Sequence, residues 1–208
     1  MKTIVIFVLF LCVLVSCSEW GPVLVAKNQD EGIKTSYQDP ALSALSARHR
    51  LLLSDIYRRY QSADIDIYPG GIGFATVSGS KGEQLHYLLV EVRPRNISFG
   101  EAQTKPKERF AQVFEHHYDK NLRYLRATDV PMDGVDGVAF GVYWPVRDYS
   151  RCNENGGFIE YMIIYFPKDD FVNLIERRVT LSEAVDNAEV VTSLALKPPK
   201  TVRITEVE

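Results

Sequence analysis

Val138, Phe140, Val142, Trp144 and Val146 alternate with Ala139, Gly141 and Tyr143, and the next hydrophobic stretch, Phe158 to Phe166, is apolar on both faces. A period of two belongs to a β-strand with one face turned to a core. A strand apolar on both faces is covered on both, which predicts a central position in its sheet. These two stretches, joined by the polar loop Arg147 to Gly157, constrain the chain more than any other feature. It must form a sheet and bury one side of it.

The rest of the chain supplies partners for that sheet. Asp39-Pro40 reads as a helix start, with an N-cap acceptor followed by a proline at the first position. Leu42, Leu45, Leu52, Leu53, Ile56 and Tyr60 follow at helical spacing and predict an amphipathic helix from Ala41 to Ser62. Tyr68-Pro69-Gly70-Gly71 reads as a turn, and Ile72 to Val77 and Leu85 to Arg93 as two strands joined around Ser78 to Gly82. A second long helix is expected from about Lys105 to Ala127, capped by Thr104. Lys168 to Arg178 looks helical, Thr180-Leu181-Ser182-Glu183 fits a capping box, and Val190 to Leu196 suits a last strand. Helices alternate with pairs of strands, which predicts an α+β fold: a single antiparallel sheet of roughly four to five strands with helices packed on it. Hydrophobic residues make up 46% of the chain and charged residues 25%, enough to build a core without staples. The expected boundaries are a tether over 17–38, one globular domain over 39–197 and a tail over 198–208.

The N-terminus has a different character. After Lys2, the run Ile4 to Val15 is wholly apolar. At 1.5 Å per residue it reaches only ~18 Å, short of the ~30 Å hydrocarbon core of a bilayer, so it reads as a signal-peptide core over residues 1–16. Small Ser16 and then Cys17 follow. Leu14-Val15-Ser16-Cys17 resembles the lipobox of bacterial lipoproteins. That resemblance implies cleavage before Cys17, a diacylglycerol on its thiol as a thioether, and further acylation of the new amino group. Two or more acyl chains give a lasting hold on a membrane where one gives a marginal one. The resemblance thus implies a cell-envelope location with the membrane as partner through the lipid anchor. Ser18 after the cysteine leans toward the outer membrane if the organism is Gram-negative. Ordinary secretory cleavage after Ser18 is the competing reading.

The net charge of −3 and the pI of about 5.9 give no electrostatic footprint for nucleic acid. Of the cysteines, Cys12 lies in the apolar run and Cys17 at its end, so Cys152 would be left alone and no disulfide framework forms within one chain.

Candidate chemistry is sparse. His116 and His117 point about 100° apart on a helix, so a shared metal is not expected; His117 falls in the stripe of Phe110, Phe114 and Tyr118. Pro69 to Phe74 lacks the Lys-Ser/Thr of a P-loop and the third glycine of a dinucleotide fingerprint. The loop Asp129 to Gly137 does not fit an EF-hand series. Asp64 and Asp66 would share one face of a strand and suit an edge that uses charge against aggregation. Cys152 has no neighbouring base, and no nucleophile elbow is present. No catalytic residue, metal or cofactor is therefore expected. The loop RDYSRCNENGG is the favoured binding segment, with Arg147, Tyr149 and Arg151 as residue types enriched at interfaces.

The functional expectation is a membrane-anchored, non-catalytic binding or assembly module with an envelope protein as partner. The alternative is an envelope hydrolase whose site comes together from distant residues. A cleft gathering His86, Tyr143 or Cys152 beside a carboxylate would favour the enzyme; an open apolar patch would favour the module.

Overall fold

The chain joins its sheet earlier than composition predicts. The computed structural model describes residues 25–79, 82–147 and 157–193, so Cys17, Tyr149, Arg151 and Cys152 lie outside it. Ala26 and Ile33 are already buried, at 4% and 7% exposure. Between them lies the short helix α1 (Gln29–Gly32), whose N-cap Asn28 accepts from the Glu31 N–H. The Tyr57 ring packs against Gly32, where a Cβ would stand 2.5 Å from it. The domain therefore begins by Ala26, not at Asp39. Two docked apolar side chains suffice to hold this segment and leave no period in the sequence to announce it.

Asp39 caps the next helix as expected, accepting from the Ala41 N–H at 2.8 Å with Pro40 at the first position. The stretch predicted as one helix is two, α2 (Pro40–Arg48) and α3 (Arg50–Ser62), broken at His49. The His49 ring meets Phe74 there. Strand β1 (Asp66–Ser78) follows, then β2 (Gln84–Arg93) and the short β3 (Phe99–Gly100). The expected turn at Tyr68 to Gly71 lies inside β1 as a bulge: the register with β2 shifts between Ile67↔Val92 and Ile72↔Val90. Gly70 has φ +66, and a Cβ on Gly71 would stand 2.7 Å from the Glu91 carbonyl, so both glycines are required.

The second long helix starts after Lys105 rather than Thr104. It runs as α4 (Pro106–Val113), a π-helical turn over Phe114–Tyr118, and α5 (Asp119–Leu122). The extra residue of a π-turn rotates the side chains beyond it about the helix axis. Here it sends Tyr118 into the core, where its hydroxyl donates to the Phe140 carbonyl and accepts from the Ile164 N–H. His116 points to solvent and His117 is half-buried, as expected. A 3₁₀ turn (Ala127–Asp129) leads to β4 (Gly137–Arg147), β5 (Gly157–Pro167), α6 (Lys168–Ile175), α7 (Leu181–Val185) and β6 (Glu189–Thr192). The Thr180–Glu183 capping box forms.

The fold is α+β. Among the described residues six strands form one sheet in the order β1-β2-β4-β5-β6, with β3 beside β4. Strand β5 is central to the β4–β5–β6 ladder, as its two apolar faces predict. The sheet is mixed rather than wholly antiparallel. β2 and β4 run parallel, because the chain between them crosses through α4 and α5 before re-entering the sheet. The edge of β1 is closed by the incoming chain: Ala26 N–H donates to Ile67 and Lys34 N–H to Ile72, at 2.9 and 2.8 Å.

The helices lie against one face. Ile72, Phe74, Leu88, Val90, Val138, Phe140, Val142, Trp144, Val146, Met162, Ile164 and Phe166 point into them, each fully buried. Opposite stand Leu53, Ile56 and Tyr60 of α3, Val113 and Tyr118, and Phe171 of α6. A charged pair is sealed in this layer. Arg109, 1% exposed, pairs with Glu160, which also accepts from the Trp144 indole N–H at 2.9 Å.

Candidate functional site

The alternate residues of the same strands point the other way and form a second, smaller apolar cluster. Its members all come from strands: Tyr87, Leu89, Ala139, Tyr143 and Ile163, bordered by Tyr68, Tyr161 and Tyr165 among others. Period-two alternation makes this face inevitable once the even-numbered positions of β2, β4 and β5 turn to the helices.

Its outline is set by tyrosine rings lying over glycines. The Tyr87 ring covers Gly137, where a Cβ would stand 2.7 Å from the ring. Gly141 sits among Glu91, Ile163 and Tyr143. Tyr68 stacks on Tyr143 with centroids 4.4 Å apart, Tyr161 tilts against the other side of Tyr143 at 5.3 Å, and Tyr87 meets Tyr165 edge-on at 5.3 Å.

A carboxylate stands in the middle of this face. Glu91 is partly buried and accepts from the Tyr143 hydroxyl at 2.6 Å. Burial pushes the Glu91 carboxyl above its ordinary pKa, against the lowering effects of the Tyr143 hydrogen bond and of Lys34. Burial and the neighbouring carboxylate hold Tyr143 far above the usual phenol range, and burial pushes Tyr165 up to about 12. Tyr143 is thus a fixed hydroxyl donor rather than a base.

Arg147 closes β4 at one end of the face. Its carbonyl accepts from the Glu101 N–H at 2.9 Å, and β3 pairs alongside it. It lines a cleft of about 250 Å³ together with Arg93, Arg95, Asp66 and Ser98. Of the expected binding residues, Arg147 stands on this surface; Tyr149 and Arg151 belong to the segment outside the described residues, as does Cys17. A second cavity, of about 400 Å³, opens between α5 and the α6–α7 connection, lined by Leu122, Leu125, Leu174 and Leu181 with Asp119 and Arg177.

The other sequence candidates serve structure. Asp64 (φ +57) and Asp66 both bind Arg95 at the start of edge strand β1. In the acidic loop, Asp129 accepts from the Arg126 N–H and from Arg59, and Asp136 accepts from the His86 N–H at 2.7 Å. His86 lies on the helix-side row of β2, its Nε2 3.9 Å from Asp39, and so is separated by the sheet from Tyr143. Among the described residues no group of three or more His, Cys, Asp or Glu could hold a metal, and no helix is long and apolar enough to cross a membrane.

Sequence reasoning missed Glu91 and the tyrosine pairs. Glu91 was visible as the lone charge in Leu88-Leu89-Val90-Glu91-Val92. The tyrosine pairs join residues on different strands and appear only when the register is known. No family model, no curated protein and no solved structure matches the chain.

Proposed function

We propose that this protein is a lipid-anchored binding module of the bacterial cell envelope, held at the membrane through Cys17 and engaging an envelope protein through the tyrosine-lined face of its sheet, against which no described helix packs. The observation that carries the reading is a cluster of five tyrosines, Tyr68, Tyr87, Tyr143, Tyr161 and Tyr165, on the sheet face opposite the helices. Tyrosine offers large contact area at low entropic cost and keeps a polar tip for water or a partner. Such a face suits association better than catalysis.

The pairing of Tyr143 with Glu91 is the observation on the side of the alternative, an envelope hydrolase. His86 stands on the opposite face, and both cavities lie away from the pair.

The test has two arms. Cys17→Ser should move the protein from the membrane to the soluble fraction or leave the precursor uncut. An unmodified mature chain beginning at Glu19 would refute the anchor. A photo-crosslinking residue at Tyr161 should trap a discrete envelope protein in intact cells, whereas one at exposed Met132 should not. Equal trapping at both positions would reject the face as the binding surface.

A further inference from the structure

We propose that the cleft between the ends of β2 and β4 is an oxyanion site, taking the phosphate or carboxylate group of a small ligand on the guanidinium of Arg93. The inference goes beyond the tyrosine-lined partner surface and does not depend on what the tyrosines contact.

It starts from an unpaired nitrogen on a half-buried cation. Arg93 ends β2 on the open face and is half-buried; its Nη1 is shut off from solvent and finds no hydrogen-bond partner among the described residues. A shielded polar atom of a cation is costly to leave unpaired, so a native structure that keeps one has a reason for it. The carboxylate that faces the same cleft does not supply that partner. Asp66 is held by Arg95, whose Nε lies 3.1 and 3.0 Å from its two oxygens and whose Nη2 lies 2.7 Å from one of them. Asp64 is held by Arg95 as well. Arg95 thereby takes the hydrogen bonds of both carboxylates, and Arg93 feels Asp66 through its field alone, with Nη1 left unpaired. Burial lowers the Arg93 pKa from its ordinary value, though it stays a cation at any physiological pH.

The surroundings fit a small anion. The walls are Pro94, Ile97 and Pro145, which are rigid or apolar, with the Ser98 hydroxyl and the Arg147 side chain on the lining. At about 250 Å³ the cleft is below the ~300–1,000 Å³ of drug-sized ligand sites. It has room for an ionic head group. A guanidinium meets the two oxygens of a carboxylate or phosphate with parallel N–H bonds, which is why arginine serves where such groups are recognised.

The test uses the mature domain with inorganic phosphate, acetate and chloride at matched ionic strength, read by thermal shift and by amide chemical shifts. Phosphate or acetate should raise the melting temperature saturably and move the amides of Arg93 to Ser98, with chloride inert; whichever probe binds tighter identifies the head group. Arg93→Met should weaken that binding at least about tenfold while leaving the ligand-free melting temperature unchanged or higher, because an unpaired, shielded N–H is gone. Arg58→Gln, on the exposed side of α3, should retain binding. As an independent block, Ser98→Trp should fill the cleft and abolish binding with Arg93 intact. An equal response to chloride, phosphate and acetate would overturn the proposal. So would a ligand-free Arg93→Met protein that melts several degrees lower, since Arg93 would then have a structural partner.

Discussion

The two faces of the sheet are built from neighbouring residues of the same strands, yet they are filled by different rules. On the helix side, β4 presents Val138, Phe140, Val142, Trp144 and Val146, all fully buried. On the open side it presents Gly137, Ala139, Gly141 and Tyr143, with tyrosines from adjacent strands lying over the gaps. The covered face is selected for shape: close-packed, mostly apolar groups, with the hydroxyls of Tyr60 and Tyr118 and the Trp144 indole hydrogen-bonded. The open face is selected for rings that shield a small-residue floor while keeping a hydroxyl at the surface. A buried or half-buried glutamate stands on each face. Glu160 is answered by Arg109 and the Trp144 indole; Glu91 is answered by a phenol and a distant lysine. The difference is that the ion pair sealed in the core belongs to a closed network with the Trp144 indole, whereas Glu91 is held by a phenol hydroxyl.

That contrast can be broken most forcefully at its sealed charge pair. Arg109→Met leaves Glu160 buried without its cation and should cost about 3–5 kcal/mol in urea unfolding. If the loss is no larger than for Glu91→Gln, the two faces do not differ as argued. The phenols come next. Tyr118→Phe leaves the Phe140 carbonyl and the Ile164 N–H without their partner and should cost about 1–3 kcal/mol, whereas Tyr143→Phe on the open face should cost less than about 1 kcal/mol.

pH should act on the open face through Glu91. Glu91 has a raised carboxyl pKa in the folded state, so the native protein holds its proton more tightly than the unfolded chain. Its contribution is fully present below the ordinary glutamate value and is lost as pH rises through the folded value. Glu91→Gln should therefore gain stability relative to the parent between pH 4 and pH 7. A parallel pair of pH–stability curves would remove Glu91 from the account. The smallest effect is expected at Tyr161→Ser, which should shift stability by under about 1 kcal/mol while reducing crosslinking from neighbouring open-face positions. A large loss there would mean that this rim tyrosine is structural rather than a contact residue.

How much of the fold was legible in the sequence depends on the range of each interaction. Local signals read correctly: the alternation in β4, the two-faced apolarity of β5, the Asp39-Pro40 start and the Thr180–Glu183 box, each settled within a few residues. The break at His49 and the π-turn at Phe114 were not legible, because the apolar spacing of both helices continues almost undisturbed through them. The parallel pairing of β2 with β4 depends on where α4 and α5 carry the chain, which no strand pattern encodes. The site was legible in part. Arg147 stood out at the junction of a strand and a polar loop, but Arg93 reads as an ordinary strand end until β4 is laid beside it.

The segment that closes the edge of β1 has a mechanical consequence. It is the part of the domain nearest the N-terminus, and its described backbone contacts to the strand are Ala26 to Ile67 and Lys34 to Ile72, with the buried Ala26 and Ile33 between. Tension applied from the N-terminal side meets this clasp before any strand of the sheet. The clasp would open first, absorb displacement and uncover the backbone edge of β1, while the ladders among β2, β4 and β5 stayed unloaded. A domain built this way yields like a fuse at the N-terminal end of its sheet, and pulling from that end should show a small early extension ahead of cooperative unfolding.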